Sequence, residues 1–183
     1  MQDPTRPPVQ LPAQPQVRRA TVPDAPALVR LRVVMLQDMG APVGDESATW
    51  RSAALDWFTR SLGDPGMFAA FVVDDPQHGI VSGAVGLCDR HAPSPGNPGG
   101  LRGHLFNVCT EPDHRGRGYA RDCVRALLDW FATETSVSVV DLNATAGSGN
   151  LYQSMGFAPS RHPALQLRRD QMNAHAGPPH TTA

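Results

Sequence analysis

A chain of 183 residues, 40 % of them hydrophobic and 18 % charged, is long enough to bury the core of one domain. A formal net charge of −1 gives no global electrostatic case for nucleic acid or for an anionic membrane surface. No run of about 18 apolar residues marks a transmembrane helix, and the three cysteines, Cys88, Cys109 and Cys123, form no closed disulfide set and lack metal-ligand spacing.

The first residues, M-Q-D-P-T-R-P-P-V-Q-L-P-A-Q-P-Q, carry no apolar segment of the kind a signal peptide needs. Their proline and glutamine content predicts a loose extension over 1–16, and a similar composition predicts a flexible tail over 170–183. Between them lies one expected domain, 17–169. Cys88 and Cys109 fall in strand-like runs and read as buried apolar thiols, so a reducing cytoplasm is the expected compartment.

Val17 to Ala20 reads as a first strand. Thr21-x-x-Asp24 has the form of a capping box with Pro23 in the first turn. Ala27, Leu28, Leu31, Val34 and Met35 then recur at helical spacing. A second helix is predicted from about Glu46 to Leu62, with Trp50, Ala54, Trp57 and Phe58 on one face. Met67 to Val73 and Ile80 to Leu87 read as strands of a hairpin joined through Asp74-Asp75-Pro76-Gln77-His78-Gly79. A Pro/Gly-rich loop, His91 to Arg102, follows and reads either as a lid or as a mobile connector.

The apolar run His104 to Thr110 ends at Pro112 and leads into Arg115-Gly116-Arg117-Gly118. A helix opens at Tyr119 and Ala120 with Val124, Leu127, Leu128 and Phe131 on its apolar face. A glycine turn at a helix N-terminus is an anion site: the first N–H groups have no intrahelical partner, the helix dipole adds positive charge, and glycines admit a phosphate to the backbone. Arginines add charge and donors. Neither G-x-x-x-x-G-K-[ST] nor G-x-G-x-x-G is present, so a nucleotide P-loop and a dinucleotide fold are unsupported. Alone, the turn reads either as a phosphate site or as a strand-to-helix turn with solvated arginines.

Downstream, a strand (Val137 to Leu142), a polar loop and a short helix ending near Gly156 precede Phe157, which begins a further extended piece. R-x-x-G-x-A at Arg115, Gly118 and Ala120, followed at a suitable interval by L-Y-x-x-x-G-F at Leu151, Tyr152, Gly156 and Phe157, resembles the paired signatures of the GNAT superfamily of acyl-CoA N-acyltransferases. The resemblance covers roughly 17–169. It implies an α/β fold with a mixed, mostly antiparallel sheet, a central V-shaped splay and about four flanking helices. It further implies acetyl-CoA as co-substrate, no metal, a primary amine of a small molecule as acceptor (an aminoglycoside is one such class), and a possible homodimer. A protein or peptide N-acetyltransferase and a non-catalytic acyl-CoA sensor are the alternatives.

Carried over residue by residue, the resemblance makes Val108, Thr110, Arg115, Gly116, Arg117, Gly118, Tyr119 and Ala120 the CoA-binding set, with Phe106 to Thr110 as the splayed strand. Tyr152 becomes the acid for the leaving thiolate; a core tyrosine is the competing reading. His104 is the candidate base, against a packed or exposed histidine. Glu111 reads as a solvated carboxylate. Asp38, Asp45 and Glu46 are acceptor-side acids, with capping by Asp45 or Ser47 as the alternative. Asn107, polar within an apolar strand, fits either a ligand contact or a β-bulge. Thr145 stands where many members carry asparagine; Asn143 or Asn150 supplies the missing amide, though neither lies at the matching position.

Overall fold

Alternating apolar positions along the central strands give the sheet two buried faces, and three of the helices exist to cover them. The computed structural model describes residues 14–145, 147–160 and 164–168; the expected terminal segments fall almost wholly outside these. The chain divides into two units, Met1–Asn143 and Ala144–Ala183.

The first unit holds a five-stranded sheet in chain order: β1 (Gln16–Arg19), β2 (Phe68–Asp75), β3 (Gly79–Arg90), β4 (Leu101–Thr110) and β5 (Val140–Leu142). All neighbours are antiparallel except β4 and β5, which run parallel. One face is covered by α1 (Ala25–Asp38) and α2 (Thr49–Leu62). There Leu28, Leu31, Phe58, Phe68, Ala70, Val72, Val85 and Cys109 form a buried cluster. The other face carries α3 (Tyr119–Glu134), whose Val124, Leu127, Trp130 and Phe131 are buried. The aromatic ring of Phe131 comes so close that a Cβ on Gly86 or Gly103 would lie 2.8 Å from it, which explains glycine at both places in otherwise β-prone strands.

Local signals hold at most boundaries. The Asp24 carboxylate accepts from the Thr21 backbone N–H at 2.7 Å and from its hydroxyl at 3.0 Å, the returning half of the expected capping box. α2 begins three residues later than expected, because Asp45 folds its own turn: Ser47 donates from its N–H and its hydroxyl to Asp45 Oδ1 at 2.9 and 2.6 Å. Neither residue caps the helix, whose N-cap position is Ala48. The expected loop 91–102 shrinks to 91–100 and is laced rather than loose. Ser94 and Asn97 exchange backbone bonds of 3.0 and 2.9 Å, His91 N–H reaches Gly100 O at 2.7 Å, and the Asn97 amide donates to Leu101 O. β5 starts at Val140 instead of Val137.

The second unit contains α4 (Gly149–Gln153). Its last turn runs on to Gly156, which adopts φ 94°, so the expected glycine stop is present. Phe157 N–H closes the turn onto Tyr152 O at 3.1 Å. The extended piece expected from Phe157 is not a strand over 157–160.

Candidate active site

The splay originates in β4. Its pairing with β5 ends at Leu105↔Leu142, yet the strand continues to Thr110 with only β3 beside it. Within that stretch the register steps from Val85↔Phe106 to Gly83↔Cys109, so Asn107 and Val108 together oppose Ala84. This is a β-bulge. Asn107 sits at φ 51°, the one non-glycine residue among those described with positive φ, and asparagine is the residue type that tolerates it best. Of the two readings of Asn107, the bulge is therefore realised. The extra residue also changes the faces: the strand parity expected to join His104, Phe106 and Val108 breaks at the bulge. Phe106, Asn107 and Cys109 all contact the α1/α2 side.

Beyond Thr110 the chain makes a short 3-10 turn, Pro112–His114, and then the arginine-glycine turn. Gly116 and Gly118 both lie in the left-handed region, at φ 76° and 86°, and Gly118 is the N-cap of α3. No heavy atom stands within 4 Å of a Cβ placed on Gly116, so the turn is open for a ligand. The first backbone N–H groups of α3, from Tyr119 and Ala120, emerge here without intrahelical partners. Arg115 donates from Nε to Thr110 O at 3.0 Å and from Nη2 to Asp38 at 2.6 Å. Among the described residues, Arg117 donates to the Asp113 carbonyl at 3.2 Å and pairs with no carboxylate. Such a turn can hold a pyrophosphate by backbone donors, one unmatched cation and the end of a helix dipole.

The α1/α2 side holds a cavity of about 370 Å³, lined by Arg32, Trp50, Ala53, Ala54, Trp57, Phe58 and Phe106. The helical face expected from Trp50, Ala54, Trp57 and Phe58 thus borders a chamber, while Phe58 also packs into the core cluster. Trp50 is fixed by its indole N–H, which donates to Val43 O at 2.8 Å. Trp57 meets Phe58, Phe68 and Phe106 edge-on, with ring centroids 5.1 to 6.0 Å apart. Arg32, absent from the sequence-based set, is the one charged lining residue among those described. Its position on a helix face carries no motif that singles it out.

Of the expected acceptor-side residues, Asp38 is engaged with Arg115, and Glu46 is exposed in the turn before α2 and does not line the cavity. Asn107 accepts from Arg32 at 3.1 Å through Oδ1, while its buried Nδ2 has no partner. His104 stacks on Phe106 with ring centroids 5.6 Å apart and 19° between the planes, one residue pair removed from the cavity wall. Glu111 is not a solvated carboxylate; it pairs with Arg30 at 2.8 Å. Asn143 is exposed at the end of the first unit. In the second unit Tyr152 is buried, its ring is edge-on to Phe157 at 5.9 Å, and burial pushes its phenol pKa up. Burial also drives the Cys109 and Cys123 thiols up, to about 11 and about 12. Asp75, His78 and His114 come within 4.8 Å of one another, but Asp75 Oδ1 already accepts from the Gln77 and His78 N–H groups and contacts His78 Nδ1, closing the β2–β3 turn.

A mostly antiparallel sheet, splayed beside a bulged β4 that feeds an arginine-glycine helix start, is the architecture of a GNAT-type acetyltransferase. The profile of the acetyltransferase (GNAT) family matches residues 34–157, and the chain belongs to that family. Its fold is similar to a predicted acetyltransferase with acetyl-CoA from Clostridium acetobutylicum (TM-score 0.73, 21 % identity, 85 % of this chain and 96 % of that one). It is also similar to a GCN5-related N-acetyltransferase from Ralstonia eutropha JMP134 (TM-score 0.69, 23 % identity, 84 % and 98 %). A third likeness is to the aminoglycoside N-acetyltransferase AAC(6')-Iy in complex with CoA (TM-score 0.64, 15 % identity, 87 % and 99 %). No curated protein matches the chain by sequence.

Proposed function

We propose that this protein moves an acetyl group from acetyl-CoA to a primary amine of a small molecule, by direct attack in a ternary complex. The observation that carries this reading is the continuity of β4. One strand borders the aromatic cavity at Phe106, offers an unpaired edge through Val108, and ends at Thr110 where the phosphate turn begins. In this arrangement the CoA pyrophosphate lies on Gly116 to Ala120 with Arg117, the pantetheine arm follows the open edge, and the Val108 N–H faces the thioester oxygen. The acceptor occupies the cavity.

The amine must arrive neutral. His104 is the proposed base, acting through water because Phe106 stands between it and the chamber. Tyr152 is the proposed acid for the departing thiolate; a raised phenol pKa keeps it protonated at neutral pH. A ping-pong route through cysteine is disfavoured by the buried, strongly protonated thiols. A cavity of about 370 Å³ has room for a small molecule.

The test is thiol release from acetyl-CoA with a panel of polyamines, aminoglycosides, amino acids and short peptides. Turnover with one class of small amine supports the reading. Turnover confined to peptides, or tight acetyl-CoA binding with no turnover at all, sinks it.

A further inference from the structure

The cavity beside β4 has an unusual charge pattern for a site that must accept an amine. Among the described residues, Arg18, Arg19, Arg30, Arg102 and Arg115 each pair with a carboxylate at 2.6 to 2.8 Å. Arg32 does not. It lies half-buried on α1, and its one side-chain bond goes to the neutral Asn107 Oδ1 at 3.1 Å. Burial works against its charge, pushing its pKa below the usual arginine range, but a guanidinium does not give up its proton in a protein. Asn107 is itself 4 % exposed, and its Nδ2 donor has no acceptor. Buried donors without acceptors are rare and call for a partner. The remaining wall is apolar: Trp50, Trp57, Phe58 and Phe106, with Ala53 and Ala54 between them, and Trp57 is still 37 % exposed.

Resting on the acetyltransferase reading, we propose that the acceptor is an amine that also carries a carboxylate on an aromatic or bulky apolar skeleton. Its carboxylate pairs with Arg32 and its skeleton fills the Trp50/Trp57/Phe106 chamber. Guanidinium and carboxylate match as a fork of donors against two acceptor oxygens. The anchor also serves the chemistry. Asn107, which holds Arg32, directly precedes Val108, whose N–H faces the acyl carbonyl in the proposed complex, and an α-amino acid places its amine one carbon from its carboxylate. A polycationic acceptor meets the opposite situation, a wall with one positive charge and no carboxylate. The same anion chemistry could also arrive as the far carboxylate of a dicarboxylic acyl donor, and the experiment separates the two sources.

The full-length protein is assayed for thiol release from acetyl-CoA, and in a parallel arm from succinyl-CoA, with matched acceptors: tryptophan against tryptamine, phenylalanine against phenethylamine, and an aminoglycoside. Binding of 3-indolepropionate, which has the carboxylate and ring but no amine, is followed in parallel by calorimetry. Arg32→Met and Arg32→Lys are compared with the parent after circular dichroism has confirmed folding. The expected result is at least a tenfold kcat/KM preference for the carboxylated member of each pair, abolished in Arg32→Met and partly restored in Arg32→Lys, with indolepropionate affinity changing in the same order. Equal or faster turnover of the decarboxylated amines or of the aminoglycoside overturns the proposal, as does a preference that survives Arg32→Met. An Arg32-dependent preference for succinyl-CoA over acetyl-CoA also overturns it, by moving the carboxylate to the donor. Arg32-dependent indolepropionate binding with no thiol release from any amine upholds the anion pocket and removes the transferase reading instead.

Discussion

Asp38, the last residue of α1, accepts from the Arg115 guanidinium at 2.6 Å, which ties the acceptor-side helix to the turn proposed to hold pyrophosphate. Both side chains are about half exposed, 51 % and 46 %, so the pair contributes less than about 1 kcal/mol to folding. Its larger effect is electrostatic. The carboxylate neutralises one of the two arginines that a bound phosphate would otherwise meet. Asp38→Asn should therefore leave thermal stability nearly unchanged and tighten acetyl-CoA binding about two- to fivefold, with the gain shrinking at high salt. Calorimetric titration at two ionic strengths checks this. Weaker binding would mean that Asp38 positions Arg115 rather than competing for it.

Close packing of α3 on the sheet gives a second prediction. A methyl group at Gly86 would lie 2.8 Å from Phe131 Cζ and 2.9 Å from Leu127 Cδ1. Leu127 is fully buried and Phe131 nearly so, so neither ring nor branch can swing into solvent. Gly86→Ala should cost about 1–3 kcal/mol as an overpacked core, read as a lower midpoint in urea with an unchanged slope. The double variant Gly86→Ala with Phe131→Leu should recover part of that loss; no recovery would show that the strain lies elsewhere.

Much of this fold is written in local signals. Thr21 and Asp24 announce a helix start, Gly156 a helix stop, and the alternation in β4 a strand with two covered faces, because each depends on residues a few positions apart. The bulge was legible as a polar residue in an apolar strand, but its consequence was not. One added residue reverses the parity of everything after Phe106, so Val108 leaves the face that His104 and Phe106 share. Partnerships across long sequence distances were also hidden. Asp38 and Arg115 are 77 positions apart, and Arg32 and Asn107 are 75. Composition indicates that an arginine will seek a carboxylate, not that Arg32 meets the neutral Asn107 amide instead. In sequence Arg32 is one charge on an amphipathic helix; only the placing of α1 over the bulge makes it part of a cavity wall.

The capping network at the start of α1 sets an acid limit on stability. Asp24 accepts from both Nη atoms of Arg18 at 2.7 and 2.9 Å and from the Thr21 backbone N–H. The Arg18 hydrogen bonds are the main reason its carboxyl is lowered from the ordinary ~4 to about 2. A folded-state pKa below the unfolded one means stability that is present above ~4 and lost as pH falls through about 2. Arg18 is 37 % exposed, so solvent screening reduces the contribution to about 1–2 kcal/mol. Asp24→Asn should remove that amount at neutral pH and flatten the stability curve between pH 4 and pH 2. Chemical unfolding at a series of pH values measures it, and parallel curves for the two proteins would exclude Asp24 as the source.

Tyr152 provides the sharpest kinetic test, since a buried phenol can serve catalysis or packing. The residue is 8 % exposed and its ring contacts Phe157. Tyr152→Phe keeps the ring and removes only the oxygen. If the hydroxyl protonates the departing thiolate, kcat should fall at least about tenfold while the KM for acetyl-CoA and the melting temperature hold. A raised phenol pKa adds a sign to the pH profile. The acid form persists through neutral pH, so the wild-type rate should not decline until the medium is strongly alkaline, whereas the variant should lose that alkaline limb altogether. A variant with unchanged kcat would leave Tyr152 as a core residue and return the thiolate's proton to water. A fall in stability together with kcat would show that the oxygen serves packing.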